Sequence, residues 1–116
     1  MGYAFPKNKR IHRNQDFQRI IRQGRSAGGK HIRIFFEVVE KGEERFGVTV
    51  SRRIKRSAQR NRYKRLIREY FRLQQNTRLQ GMEMIALVKS DMEKPSLETI
   101  TNEMNSLIGK RENSRG

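Results

Sequence analysis

The sequence contains no cysteine and only two histidines. Without cysteine, the chain cannot form disulfide bonds or zinc sites built on thiolates. His12 and His31 have no partner at a metal-ligand spacing, so we expect each to be solvated or hydrogen-bonded. No apolar run approaches the roughly 20 residues of a membrane-spanning helix, and residues 1–10 lack the apolar core of a signal peptide. These absences predict a soluble protein of the cytoplasm.

Motifs for bond-breaking chemistry are also lacking. None of the 12 acidic residues forms a carboxylate pair within an apolar frame, as metal-dependent hydrolysis requires. Glu40, Glu43 and Glu44 cluster at a predicted turn, where we expect them to aid solubility. The segment "SAGGK" (26–30) does not have the spacing of a phosphate-binding loop. We therefore expect no catalytic residue and no metal ligand in the chain, and the pattern favours a binding protein over a self-sufficient enzyme.

Positive charge is plentiful and unevenly distributed. The 116 residues include 27 Lys and Arg against 12 Asp and Glu, a net charge of +15. Residues 1–72 hold 21 of the basic and 6 of the acidic residues, whereas residues 73–116 hold 6 of each. Such an excess indicates a polyanion as partner. The length predicts one domain, 1–116, in which the neutral C-terminal part serves as scaffold.

Apolar periodicity predicts an α+β fold in the order α-β-β-α-β-α, with a small mixed sheet. Three strands are clear, and 25–30 has room for a short fourth. The turn "KGEE" (41–44) suggests that the strands before and after it pair as a hairpin. The strand–helix–strand order that follows implies two parallel strands. The predicted segments are a basic extended N-terminus 1–13, a short helix between Asn14 and Gly24, strands 31–40 and 45–53, a helix from about 57 to 75, strand 81–89, a helix from 95 and a flexible tail 110–116.

One face of the predicted sheet is polar, basic and partly aromatic. Alternation along the strands places Arg33, Phe35 and Thr49 on this face, with Arg52 nearby. Such a face suits single-stranded nucleic acid, because bases stack on aromatic rings while arginines meet phosphates. An ordinary solvated sheet face has the same pattern. Phe17, on the first helix, is likewise either a core residue or an aromatic side chain facing a ligand groove.

The predicted helix 57–75 has two distinct faces. Its apolar residues fall within about 140° of arc at 100° per residue; they are Tyr63, Leu66, Ile67, Tyr70 and Phe71. From Arg52 to Arg72 there are ten basic residues and one acidic residue. A merely solvated helix would balance its charges with i,i+4 pairs. The excess indicates that the helix binds phosphates, for which arginine is well suited.

The segment "RNRYKRLIRE" (60–69) resembles the signature of the protein subunit of bacterial ribonuclease P. "NQDFQRIIRQG" (14–24) is similar to that family's first helix, and "FGVTVSRRI" (46–54) to its strand leading into two basic residues. The resemblance covers most of residues 9–90. Three places depart from the family pattern. Ile21 stands where a second aromatic is common, Lys55 where glycine is usual, and Ser57-Ala58 where a more apolar pair is found.

The resemblance implies an α/β sandwich with a left-handed β–α–β crossover. It also implies that a partner RNA using Mg²⁺ removes the 5′ leader of precursor tRNA by hydrolysis, while the chain binds no cofactor itself. Its partners would be the catalytic RNA and precursor tRNA, with no membrane and no obligate protein partner. The residues implied to contact the catalytic RNA are Arg60, Asn61, Arg62, Lys64, Arg65 and Arg68. Those implied to contact the leader are Phe17, Ile21, Phe35, Arg52 and Arg53.

Two other functions remain open from the residues alone. A ribosomal protein or RNA chaperone would show the same basic face without a role in cleavage. A DNA-binding regulator could place the basic helix in a major groove. The broad apolar stripe on that helix and the lack of a dimer seam make the DNA-binding interpretation weaker.

Overall fold

The computed structural model describes residues 7–113, with side chains described as far as Gly109. Three α-helices and four strands confirm the predicted α+β class and element order, and the optional short strand is present as β1. The elements are a 3-10 helix Lys7–Lys9, α1 Asn14–Gln23, β1 Arg25–Gly28, β2 Ile32–Val38, β3 Phe46–Val50, α2 Ser57–Gln74, β4 Met82–Val88 and α3 Leu97–Asn113.

The sheet order is β1-β2-β4-β3, so the predicted hairpin of 31–40 with 45–53 is wrong. β4 lies between β2 and β3, antiparallel to β2 and parallel to β3. The antiparallel hairpin is instead β1–β2. Six of the seven β4 residues are buried, which fits a central strand covered on both faces. Turn signals at 41–44 mark a reversal of the chain, but they do not show that another strand separates the two arms.

The parallel pairing of β3 and β4 across α2 confirms the predicted β–α–β unit. Crossovers of this kind are usually right-handed. The left-handed crossover implied by the resemblance stays a prediction.

The main core lies between one face of the sheet and the helices α2 and α3. Tyr63, Ile67, Tyr70 and Phe71 of α2 are buried there, while Leu66 is half-buried at the edge. Each large apolar side chain contributes about 1.5–3 kcal/mol when it is fully buried. This burial confirms the apolar stripe predicted for α2 and fixes which way its polar face points.

α1 packs on the opposite face of the sheet. Ile11, Ile20 and Ile85 form a small buried cluster there, with half-buried neighbours. Charges also hold the helix, because the buried Glu83 of β4 accepts from Arg19 of α1 at 2.7 Å and pairs with Arg45 at 2.6 Å. α1 therefore covers part of this face and leaves the remainder open.

Within the described residues, the N-terminal end differs from the prediction, and the last helix reaches farther than expected. Residues 7–9 form a 3-10 helix rather than extended chain, and Arg10 then makes a parallel bridge to Phe46 of β3. α3 continues to Asn113 and so extends into the predicted tail 110–116, whose flexibility stays a prediction. Residues 1–6 and 114–116, which belong to the predicted extended N-terminus and tail, lie outside the described residues.

Candidate nucleic-acid interface

The polar face of α2 borders a depression of about 530 Å³. Asn61, Lys64, Arg65 and Arg68 line it, and Arg10 reaches it from the N-terminal segment. These five residues together are called the α2 basic site below. Its remaining lining residues are Leu66, Glu69 and Leu97.

Glu69 is the acidic residue at the α2 basic site, and its carboxylate is paired with an arginine outside that site. Arg72 donates to both of its carboxylate oxygens, at 2.9 and 2.6 Å, and so lowers the pKa of Glu69. Among the described residues, none of the four cations of the site forms an ion pair. The site therefore presents uncompensated positive charge in a concave surface, which suits a phosphate backbone.

Two of the six residues predicted to bind the catalytic RNA do not line this depression. Arg62 is exposed and donates from Nη2 to the carbonyl oxygen of Pro95 at 3.1 Å. Arg60 is half-buried one turn from Lys64. Both lie beside the apolar stripe of α2. The other four of the six predicted residues line the depression together.

On the other face of the sheet, the structure brings together Phe17, Ile21 and Phe35. All three are half-buried and pack against the small cluster beneath α1. Phe17 lies directly over Gly47: a Cβ at Gly47 would come within 2.8 Å of the ring atom Cζ. The Phe17 ring is therefore only partly buried. Because residue 47 is glycine, the ring can approach the sheet closely.

The next row of side chains along the sheet is more open. Cross-strand pairing puts Arg33, Leu87 and Thr49 side by side, and all three are half-buried. The Arg33 guanidinium lies over β1, where Nη1 donates to Ser26 Oγ at 3.1 Å. This row extends the predicted aromatic and basic face, and Leu87 is a member that sequence reasoning missed, because only the strand order reveals it.

Arg52 and Arg53 are exposed in the turn that follows β3. Ser51 holds this turn, accepting from the Arg53 amide through Oγ at 3.2 Å and from the Ile54 amide through its carbonyl oxygen at 3.1 Å. The two arginines follow Thr49, which lies in the row of Arg33, so they come farther along the sheet than Phe35. Because no described residue other than glycine has a positive φ, Lys55 fits this turn without the backbone conformation that favours glycine.

Among the side chains of residues 7–109, no three His, Asp or Glu form a group that could hold a metal ion. Asp91, near the start of α2, is occupied by hydrogen bonds from the Tyr63 hydroxyl and from Gln59, which lower its pKa. No helix in the described part of the chain has the length and apolar character to cross a membrane.

Comparison with known proteins decides the family. The Ribonuclease P family model matches residues 5–112. The chain belongs to the ribonuclease P protein family. It is 35% identical over 89 residues to the ribonuclease P protein component of Dictyoglomus thermophilum, covering 75% of this chain and 72% of that one. It is 30% identical over 105 residues to that of Pelotomaculum thermopropionicum, covering 90% and 94%.

The fold agrees with that assignment. The solved ribonuclease P protein of Staphylococcus aureus matches with a TM-score of 0.75 at 25% identity, covering 90% of this chain and 96% of that one. The chain is therefore a protein component of ribonuclease P, a subunit of a ribonucleoprotein that processes tRNA, and the RNA of that enzyme is its partner. Ribosomal, chaperone and DNA-regulator functions are not supported.

Proposed function

We propose that the polar face of α2 binds the RNA component of ribonuclease P and that the partly open sheet face binds the single-stranded 5′ leader of precursor tRNA. The uncompensated cations of the α2 basic site carry this proposal. The residues assigned to the RNA component are Arg60, Asn61, Arg62, Lys64, Arg65 and Arg68. Those assigned to the leader are Phe17, Ile21, Phe35, Arg52 and Arg53.

The two surfaces suit different RNA structures. Folded RNA is recognised largely through its backbone and shape, and α2 offers arginine forks that donate paired hydrogen bonds to phosphate oxygens. A single strand exposes its bases, which stack on aromatic rings while cations follow the backbone. Phe17 and Phe35 supply half-buried rings, Ile21 supplies an apolar contact, and Arg52 and Arg53 supply charge farther along the sheet.

The chain contributes binding and position rather than reacting groups. The RNA component, with its Mg²⁺, performs the hydrolysis of the phosphodiester bond. One domain that holds both the RNA component and the leader lowers the cost of placing the scissile bond in that catalytic centre. This role places the protein in the cytoplasm with its tRNA substrate.

Reconstitution tests the proposal. The chain is added to a bacterial ribonuclease P RNA and precursor tRNA at low Mg²⁺, and leader removal is timed. We expect stimulation over the RNA alone and no cleavage by the chain alone. If the chain does not stimulate the RNA, the proposal is wrong, and RNA-free cleavage that survives purification would contradict the assignment of catalysis to the RNA.

Replacing Phe17 tests the leader surface. Phe17→Ala should weaken precursor tRNA binding by the assembled enzyme by about 5- to 30-fold, given roughly 1–2 kcal/mol for a lost base stack. Mature tRNA, which has no leader, should bind nearly as before. Val38→Ala is the control, because Val38 is 79% exposed at the end of β2. Equal losses for precursor and mature tRNA would show that Phe17 acts only in packing.

A further inference from the structure

Arg10 is a basic residue that the sequence patterns did not single out. The amide of the next residue, Ile11, donates to the carbonyl oxygen of Phe46 at 2.9 Å, which ties this segment to the outer edge of β3. The Arg10 side chain is half-buried, and its Nε is buried without a hydrogen-bond partner among the described residues. A buried donor left unsatisfied is costly and rare. Arg10 therefore carries a donor that its own fold does not use.

Arg68 of α2 is the charged neighbour of Arg10. Burial of part of the side chain and the positive charge of Arg10 together lower the pKa of the Arg68 guanidinium. No described carboxylate forms an ion pair with either arginine, and Glu69 is held by Arg72. Two like charges partly removed from water repel each other, and an anion between them would reverse this unfavourable interaction.

Arg10 and Arg68 also share an unusual position, because they line two cavities at once. The outer one is the α2 basic site, of about 530 Å³. The inner one, of about 120 Å³, extends toward Phe17 and Gly47 on the other side of β3. The pair thus stands where the two proposed RNA surfaces meet.

We propose that Arg10 and Arg68 form a phosphate-binding pair that seats one RNA phosphodiester at this junction. On binding, the Arg10 guanidinium turns so that its buried Nε and one Nη donate to the phosphate oxygens in the two-pronged geometry that guanidinium makes with phosphate, and Arg68 neutralises the remaining charge. The bound phosphate also fixes the N-terminal segment against β3. The inference rests on the proposed function and adds to it a residue, Arg10, and the chemical group that this residue binds.

Two variants of Arg10 distinguish the effect of its positive charge on RNA binding from the effect of its hydrogen-bond geometry. Arg10→Met keeps the aliphatic packing and removes the donors, and we expect RNA binding to weaken about tenfold. Arg10→Lys keeps the positive charge but has no Nε–H in the fork, so only part of the affinity should return. The unfolding temperature of the free Arg10→Met protein should equal or exceed that of the wild type, because an unsatisfied donor and a repulsion are both removed. Arg78→Met, in the exposed turn after α2, is the matched control.

Two binding assays identify the source of the phosphate. If it belongs to the RNA component, Arg10→Met loses affinity for that RNA in the absence of tRNA. If it belongs to the leader, the loss appears only as a smaller preference of the assembled enzyme for precursor over mature tRNA. Unchanged binding in both assays overturns the inference, as does full rescue by lysine. A lower unfolding temperature for Arg10→Met also overturns it, by showing that Arg10 stabilises the free fold.

The same assays distinguish this inference from the proposed function. If the wild-type chain fails to bind or stimulate the RNA, the proposed function itself is wrong. If the wild type succeeds and Arg10→Met binds equally well, only the phosphate-binding pair is wrong.

Discussion

Glu44 shows how one side chain can act differently from what its sequence surroundings indicate. Its position in an acidic turn predicted a role in solubility, yet Glu44 is buried. Its carboxylate accepts from the Gly81 amide at 2.8 Å and from the Gly42 amide at 3.1 Å, and it pairs with Lys9 at 3.4 Å. The Gly81 hydrogen bond is the largest of the effects that lower the pKa of Glu44 to about 2. Glu44 thus ties together three separate segments of the chain.

Glu44→Gln should lower the free energy of unfolding by about 1–3 kcal/mol at neutral pH, because a charged acceptor is lost while its donors stay buried. Since the folded-state pKa lies below the ordinary value of 4.5, the advantage of the wild type is complete above pH 4.5 and disappears as the pH falls toward 2. Urea unfolding at several pH values measures this difference. Glu43→Gln, one residue away and exposed, is the control; an equal loss in that variant would contradict the assignment.

The roles of Arg10 and Glu44 could not be predicted from the sequence, and the reason is the same for both. Each owes its role to residues far away in the chain, Arg68 for the first and Gly81 for the second. Periodicity reports on neighbours within a helix or strand, so it found the faces of α2 but not these long-range contacts.

Among the elements, α2 is the one that the sequence described best. Its apolar stripe and polar face both follow from a repeat of 3.6 residues, which local sequence specifies fully. Strand pairing is less local, and the hairpin prediction failed because β4, some thirty residues later, takes the place between β2 and β3. The position of Phe17 over Gly47 likewise needed the docked α1, which no pattern within α1 reveals.

α1 should depend strongly on one carboxylate. Glu83→Gln leaves Arg19 and Arg45 without their buried partner. We expect a loss of about 1–3 kcal/mol, less than in the fully buried case, because both arginines are partly exposed and keep the half-buried Asp16 as a partner. Hydrogen exchange should show the greatest loss of protection in the α1 amides. Glu93→Gln, exposed in the loop after β4, should change neither quantity. Even loss across all helices would mean that Glu83 does not act through α1.

On the scale of the whole molecule, excess positive charge and much of the structural support lie in different parts of the sequence. The net charge of +15 comes entirely from residues 1–72, while β4 and α3, from the neutral part, supply much of the buried core. This division agrees with the scaffold role predicted for the C-terminal part. It also means that RNA affinity should respond to where a charge is removed as well as to how much charge is removed.

A charge-matched pair of double variants tests this point. Lys64→Ala with Arg65→Ala should reduce the slope of log affinity against log salt by about 1–2, because two phosphate contacts are lost. Lys41→Ala with Arg78→Ala removes the same charge from two exposed turns and should leave the slope nearly unchanged. Filter binding of the RNA component at several salt concentrations gives both slopes. If the slopes fall equally, binding depends on net charge rather than on the α2 basic site.

The central position of β4 has a consequence for synthesis on the ribosome. Until Met82–Val88 has emerged, β2 and β3 have no strand between them, and the sheet cannot close. By then the chain already carries its full excess of +15, with α2 made but lacking the sheet that orients it. For that interval the nascent chain is a basic, unfinished polymer surrounded by ribosomal RNA. We therefore expect selectivity among RNAs to appear only after Met82–Val88 has been translated and has joined the sheet.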